Sequence, residues 1–275
     1  MIRPLLLALA VLALLPAAGQ ASIRYGTGQT AAGPVPLLLD VYQPHGNATA
    51  PRPVVVLIHG GGFRTQTRTT GGIVRVARGL ADAGIVAVSI DYRLQPQSPV
   101  PSARMRPLLD ALPAIPIRPA VVAAADDTLT ALGYLRAHAR QLRIDLGRLG
   151  LIGSSAGAIT ADLVAYALDD LGIDAPRIRF VGSLWGGIPD VLGAQGLRRG
   201  EAPLFSVHGD ADPTVPVAWE DALQSRARSQ HVRALYDRVP GGVHGWGGTQ
   251  FFTRDTGHGL TAYERLLAFA QQQLT

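Results

Sequence analysis

The stretch GLIGSSAGAIT, residues 150–160, sets two serines among glycines where an apolar run gives way to a helix-like one. Leu149 to Gly153 reads as a strand, and AGAITADLVAYAL after it has the composition of a buried helix. Between them, Gly153-Ser154-Ser155-Ala156-Gly157 fits G-x-S-x-G with Ser155 at the centre, in the strand–turn–helix context that the motif requires. The requirement is steric. A nucleophile at the tip of so tight a turn holds a strained backbone, and only tiny residues two before and two after it let strand and helix approach. The same turn aims the helix N-terminus, with the Ala156 N–H, at the reacting centre. Ser154 offers a second hydroxyl but lacks the central position.

A serine hydroxyl attacks well only when a base takes its proton and a carboxylate orients that base. Downstream, HGDADPTVP (208–216) puts Asp212 on a loop after the strand Leu204 to Val207, with Asp210 as its rival. VPGGVHGWG (239–247) puts His244 on a glycine-rich loop after the next strand; His258, in TGHGL, is the competing histidine. The order Ser155, Asp212, His244 is the one expected when these loops converge at one edge of an α/β-hydrolase sheet. Upstream, HGGGF (59–63) follows a strand, and its glycines leave backbone N–H groups free to bind a developing oxyanion. Gly61, Gly62 and Ala156 are the expected donors. His59 and His208 read as structural histidines, and Asp91 and Arg93 as partners that pair or hydrogen-bond beside the glycine loop.

The rest of the chain supplies a sheet for those loops. PVPLLLDVYQP (34–44), PVVVLIHGGG (53–62) and IVAVSIDYR (85–93) read as strands, with a helix over GIVRVARGLADAG and its end at Gly84. Further helices are expected over Ala123 to Leu142, around Trp219 to Ser229, and from Leu260 to Leu274. Strands are expected at IRFVGSLWG (178–186) and VRALYDRV (232–239). Apolar strands alternating with helices imply a mostly parallel twisted sheet covered on both faces, an α/β fold. Residues 94–120 break the rhythm with Pro96, Pro99, Pro101, Pro107, Pro113, Pro116 and Pro119. Their apolar content, with Leu108, Leu109, Leu112, Ile115 and Ile117, suits a small lid over the mouth of the site, with a passive surface insertion as the alternative.

Composition narrows the chemistry. The 275 residues include no cysteine and no lysine, which excludes thiol nucleophiles, disulfides, Schiff bases and a phosphate-binding loop lysine. The formal charge of +5 comes from arginines scattered among acids, so no nucleic-acid partner is expected. No cofactor and no metal site are implied. Residues 1–21 combine a basic start, a short apolar run and a small-residue ending, which reads as a cleaved signal peptide. A periplasmic or secreted protein without membrane insertion after cleavage would follow, with one domain over 22–275.

HGGGF, DYRL (91–94), GSSAG, HGDAD and VHGW together resemble the α/β-hydrolase carboxylesterases. The nearest groups are the hormone-sensitive-lipase-like and the bacterial feruloyl- or acetyl-esterase-like ones, and LDVYQP (39–44) looks like the leader strand of the second. The resemblance implies Ser155 as nucleophile, His244 as base and Asp212 as orienting acid. It implies an ester of a short-chain acyl group, a carbohydrate or an aryl alcohol as substrate, cleaved through an acyl-enzyme. The chain departs from the lipase-like group at Gln97, where that group carries an acid, and in its proline-rich insertion. A serine peptidase of the same fold and a non-catalytic binding protein on it remain the alternatives at this level.

Overall fold

The computed structural model describes residues 22–46, 50–193 and 196–275, so the expected signal peptide lies outside the described residues. Among the described residues, one eight-stranded sheet carries the fold, in the order β1-β2-β4-β3-β5-β6-β7-β8. The strands are β1 (Ile23–Thr30), β2 (Gly33–Tyr42), β3 (Arg52–Ile58), β4 (Val86–Ile90), β5 (Ile144–Ser154), β6 (Phe180–Leu184), β7 (Leu204–Gly209) and β8 (Ala234–Val239). β1 pairs antiparallel with β2, and β2 antiparallel with β4; every other neighbouring pair is parallel. This is the mostly parallel α/β sheet expected from the alternation of strands and helices, in the α/β-hydrolase arrangement that the resemblance implied.

β3 shows why the central strands read as unbroken apolar runs. Val54 to Ile58 are all fully buried. Val54, Val56 and Ile58 enter one core, while Val55 and Leu57 enter the core on the opposite face. Helices α3 (Arg118–Ala137), α5 (Ala156–Tyr166) and α6 (Val217–Ser229) cover the first face. Helices α1 (Gly71–Asp82) and α8 (Ala262–Leu274) cover the second. Short helices α2 (Arg106–Ala111), α4 (Ala139–Leu142) and α7 (Gln250–Thr253) fill the connections. None of the helices among the described residues is long and apolar enough to cross a membrane.

Two departures from the sequence reading have local causes. β1 carries glycines and polar residues and gives no apolar run, yet it forms the sheet edge by hairpin pairing across Gly33, at φ +114°. Gly28 in it is obligatory, because a Cβ there would lie 2.3 Å from Arg93 Cδ. The helix expected to begin at Ala123 starts at Arg118, with Pro119 in its first turn, where a missing N–H costs nothing.

Candidate active site

The functional loops leave from the carboxyl ends of four parallel strands. HGGGF follows β3, Ser155 follows β5, the Asp212 loop follows β7 and the His244 loop follows β8. Since β3, β5, β6, β7 and β8 run parallel as neighbours, those ends share one edge of the sheet.

Ser155 sits at φ +54°, ψ −118°, a left-handed conformation that costs a non-glycine residue about 1–3 kcal/mol. Its N–H donates to the Leu184 carbonyl at 2.8 Å, which ties the turn to the end of β6. The glycines two before and two after it are demanded by contact. A Cβ on Gly153 would lie 2.1 Å from the Gly157 carbonyl oxygen, and one on Gly157 would lie 2.1 Å from the Ile58 oxygen.

From this turn a hydrogen-bonded relay runs across three loops. The Ser155 hydroxyl donates to His244 Nε2 at 2.8 Å, and His244 Nδ1 donates to Asp212 Oδ2 at 2.7 Å. The second Asp212 oxygen accepts from the Thr214 and Val215 amides at 2.8 and 3.0 Å. Burial pushes the Asp212 carboxyl upward, but the bonds from His244, Thr214 and Val215 outweigh it and hold the group below its ordinary value. It therefore stays anionic and keeps the imidazole proton on Nδ1, leaving Nε2 free to accept.

The rival residues are engaged elsewhere. Ser154 Oγ accepts from Trp185 Nε1 at 3.1 Å, away from the relay. Asp210 accepts from Arg238 and from the Gly241 amide, bracing the loop after β8. His258 is exposed, its amide donates to Asp255, and its ring lies 3.7 Å from Asp237.

HGGGF packs directly against the nucleophile: a Cβ on Gly60 would lie 3.3 Å from Ser155 Cβ. Gly61 and Gly62 have φ of +93° and +60°, so the loop coils over itself, and the Gly61 carbonyl accepts from the Arg64 and Thr65 amides. That coiling leaves the Gly61 and Gly62 amides without an acceptor among the described residues, as is the Ala156 amide at the start of α5. His59 is buried and neutral, its pKa lowered by burial, and it stacks on Tyr92 at 4.3 Å between ring centroids. The Tyr92 hydroxyl is shared between the His59 and Gly60 carbonyls, both at 3.0 Å. Gln95 holds the other end, donating its amide to the Phe63 carbonyl at 2.7 Å and accepting from Arg64 Nε at 2.6 Å.

Asp91 and Arg93 do not pair with each other. Asp91 binds Arg68, whereas Arg93 turns inward to a buried ion pair with Asp127 and Asp126. Each is taken by a partner from a different element, Arg68 on the loop before α1 and the carboxylates of α3. Ser155, His244 and the glycine loop open into a cavity of about 430 Å³ walled by Ile73, Val76, Trp185, Phe251 and Phe252. No motif marked Trp185 or the two phenylalanines, because an aromatic in a loop gives no period to read.

Comparison with known proteins agrees with this fold. The BD-FAE family model matches residues 39–105 and 118–182. Esterase LipI of Mycobacterium tuberculosis is 34% identical over 163 residues, covering 58% of this chain and 42% of LipI. Esterase LipC of the same organism is 28% identical over 250 residues, covering 76% of this chain and 57% of LipC. The chain thus spans about half the length of these two relatives. Among solved structures, Thermogutta terrifontis esterase 2 phosphorylated by paraoxon superposes with a TM-score of 0.68 at 21% identity, over 92% of each chain. The butyrate-bound form of that esterase gives the same TM-score at 20% identity, over 92% of each chain. With the fold, the ordered motifs and these matches together, the chain has the α/β-hydrolase fold and its sequence is similar to that of esterases.

Proposed function

We propose that this chain is a serine esterase acting on esters of short-chain acyl groups with carbohydrate or aryl alcohols. The observation that carries the reading is the unbroken relay Ser155–His244–Asp212 at 2.8 and 2.7 Å, lying beside three free backbone amides. His244 Nε2 takes the Ser155 proton as Oγ bonds to the ester carbon. The carbonyl electron pair moves to oxygen, where the Gly61, Gly62 and Ala156 amides receive it; one such donor contributes about 10²–10³ in rate. The carbon–alkoxide bond then breaks, and the proton on His244 goes to the departing alcohol. Water repeats the sequence on the acyl-enzyme and frees the acid.

The reading needs no cofactor. Residues 1–21 support export to the periplasm or the medium, where a small-molecule or carbohydrate ester would be met. Turnover of a nitrophenyl acetate with stoichiometric labelling of Ser155 by an organophosphate is the expected result. Near-native turnover by Ser155→Ala, or cleavage of the matching amide at the ester's rate, would overturn it.

A further inference from the structure

A second cavity, of about 460 Å³, also reaches Ser155, and Leu112, Pro113, Ile115 and Ile117 of the proline-rich insertion line part of it. Those residues fall between the two segments that the BD-FAE model matches. Resting on the esterase reading above, we propose that this cavity is the acyl pocket, and that it selects unbranched aliphatic acyl chains longer than acetyl.

The side is set by the chemistry of the leaving group. In the tetrahedral state the carbon is bonded to Ser155 Oγ and its oxyanion faces the free amides, so its two remaining substituents must diverge. The departing alkoxide has to lie within hydrogen-bond reach of His244 Nε2, which donates the proton. His244, Gly245 and Gly248 line the first cavity, and none of them lines the second. The alcohol therefore occupies the aromatic cavity. The second cavity reaches Ser155 past Ala156 and Ile159 of α5, and it receives the acyl chain.

Its lining fits hydrocarbon. Leu112, Pro113, Ile115 and Ile117 of the insertion share the lining with Val191 and Trp219. Ile115 and Val191 are 51% and 54% exposed, two large apolar side chains left in water on the lining of one cavity until an alkyl chain covers them. The two arginines present already have partners: Arg64 binds Gln95, and Arg118 donates to the Leu109 and Leu112 carbonyls. Asp190, also on the lining, disfavours acyl groups ending in a carboxylate.

The wall is preformed. Met105 and Leu108 are fully buried and pin α2 to the core. The segment beyond it is held by Ile115 N–H to the Pro113 carbonyl at 2.8 Å and Arg118 N–H to the Ile115 carbonyl at 3.0 Å. Pro113, Pro116 and Pro119 restrict its backbone further, so little ordering is left to oppose binding.

The test is kcat/KM for nitrophenyl acetate, butyrate, hexanoate and octanoate. In the wild-type protein it should rise by about fourfold per methylene until the cavity is filled. Ile115→Asp puts a charge on the insertion wall, and Val191→Trp fills the space from elsewhere on the lining. Both positions are exposed, so both variants should fold, which circular dichroism checks. The hexanoate-to-acetate ratio should fall by about tenfold or more in each variant. A ratio within about twofold of wild type in both variants, or a shift in alcohol preference instead, overturns the assignment. Loss of the esterase reading would look different: no ester would be cleaved and Ser155 would take no organophosphate label, whereas a labelled enzyme with an unmoved chain-length profile sinks the pocket alone.

Discussion

His208 Nε2 lies 3.2 Å from Asp212 Oδ2, the same oxygen that accepts from His244 Nδ1. His208 is fully buried, and burial lowers its pKa against the opposing pull of the Val215 carbonyl and Asp212. Its Nε2 also meets the Val215 carbonyl at 3.1 Å; a carbonyl can only accept, so the proton of the neutral ring is on Nε2. The N–H thus lies between the loop backbone and the acid of the relay, and His208 is a positioning residue. His208→Phe should lower kcat by about tenfold with KM little changed, the effect of one lost hydrogen bond to a charged group. His208→Gln, which restores an N–H donor, should recover part of it. Separate kcat and KM values for the two variants check this.

The two acids of the HGDAD loop should behave in opposite ways. Asp212→Asn removes the charge that orients His244 and should lower kcat by about 10⁴, by analogy with other serine triads. Asp210→Asn loosens a bond to the half-exposed Arg238 and should leave kcat within about threefold of wild type. Steady-state assays of both variants under one set of conditions decide it.

Gly61 tests the proposed oxyanion loop without touching a side chain of the Ser155–His244–Asp212 relay. A Cβ there would lie 2.1 Å from the Thr65 carbonyl oxygen, at φ +93°. Gly61→Ala must therefore move the loop, and kcat should fall by about 10²–10³ as amide donors leave their positions. Undiminished organophosphate labelling at a normal rate would contradict that.

A pair of buried acids ties stability to pH. The single Ser183 hydroxyl lies 2.8 Å from Asp162 Oδ2 and 3.2 Å from Glu220 Oε2; it can donate to only one, so the other contact needs a protonated carboxyl. Burial raises Asp162 well above its ordinary value and pushes Glu220 up to about 7 despite hydrogen bonds from Ser206 and Gln224. An unfolded Glu220 loses its proton near 4.5, so between that value and about 7 the native state binds more protons and stability falls as pH rises. The total is of order 3 kcal/mol at most. Glu220→Gln should flatten the fall in Tm between about pH 5 and pH 8, measured by calorimetry.

Much of the candidate site is legible in the sequence. Gly153, Ser155 and Gly157 announce a strained turn because only their sizes fit it, and HGGGF announces free amides because glycines leave them uncovered. These are local demands, met within a few residues of chain. Longer-range facts were not legible. That Arg93 turns inward to Asp127 instead of meeting Asp91 depends on where α3 packs. That His208 shares the Asp212 oxygen depends on the path of a loop. The edge strand β1 gave no signal because it carries glycines and polar residues, and Gly28 makes room for Arg93, a residue far along the chain.

The chain by itself determined the chemistry available: a serine on a strand-to-helix turn, a glycine loop after an earlier strand, then an acid and a histidine in order, with no thiol or lysine to offer another route. Only the tertiary structure decided the distances and the two cavities. Four parallel strands carry their loops to one edge, and the register of β3, β5, β7 and β8 brings side chains 89 residues apart to 2.8 Å. The physical reason is that residue type and local strain are written in neighbouring positions, whereas a pocket exists only between surfaces that meet after the chain has packed.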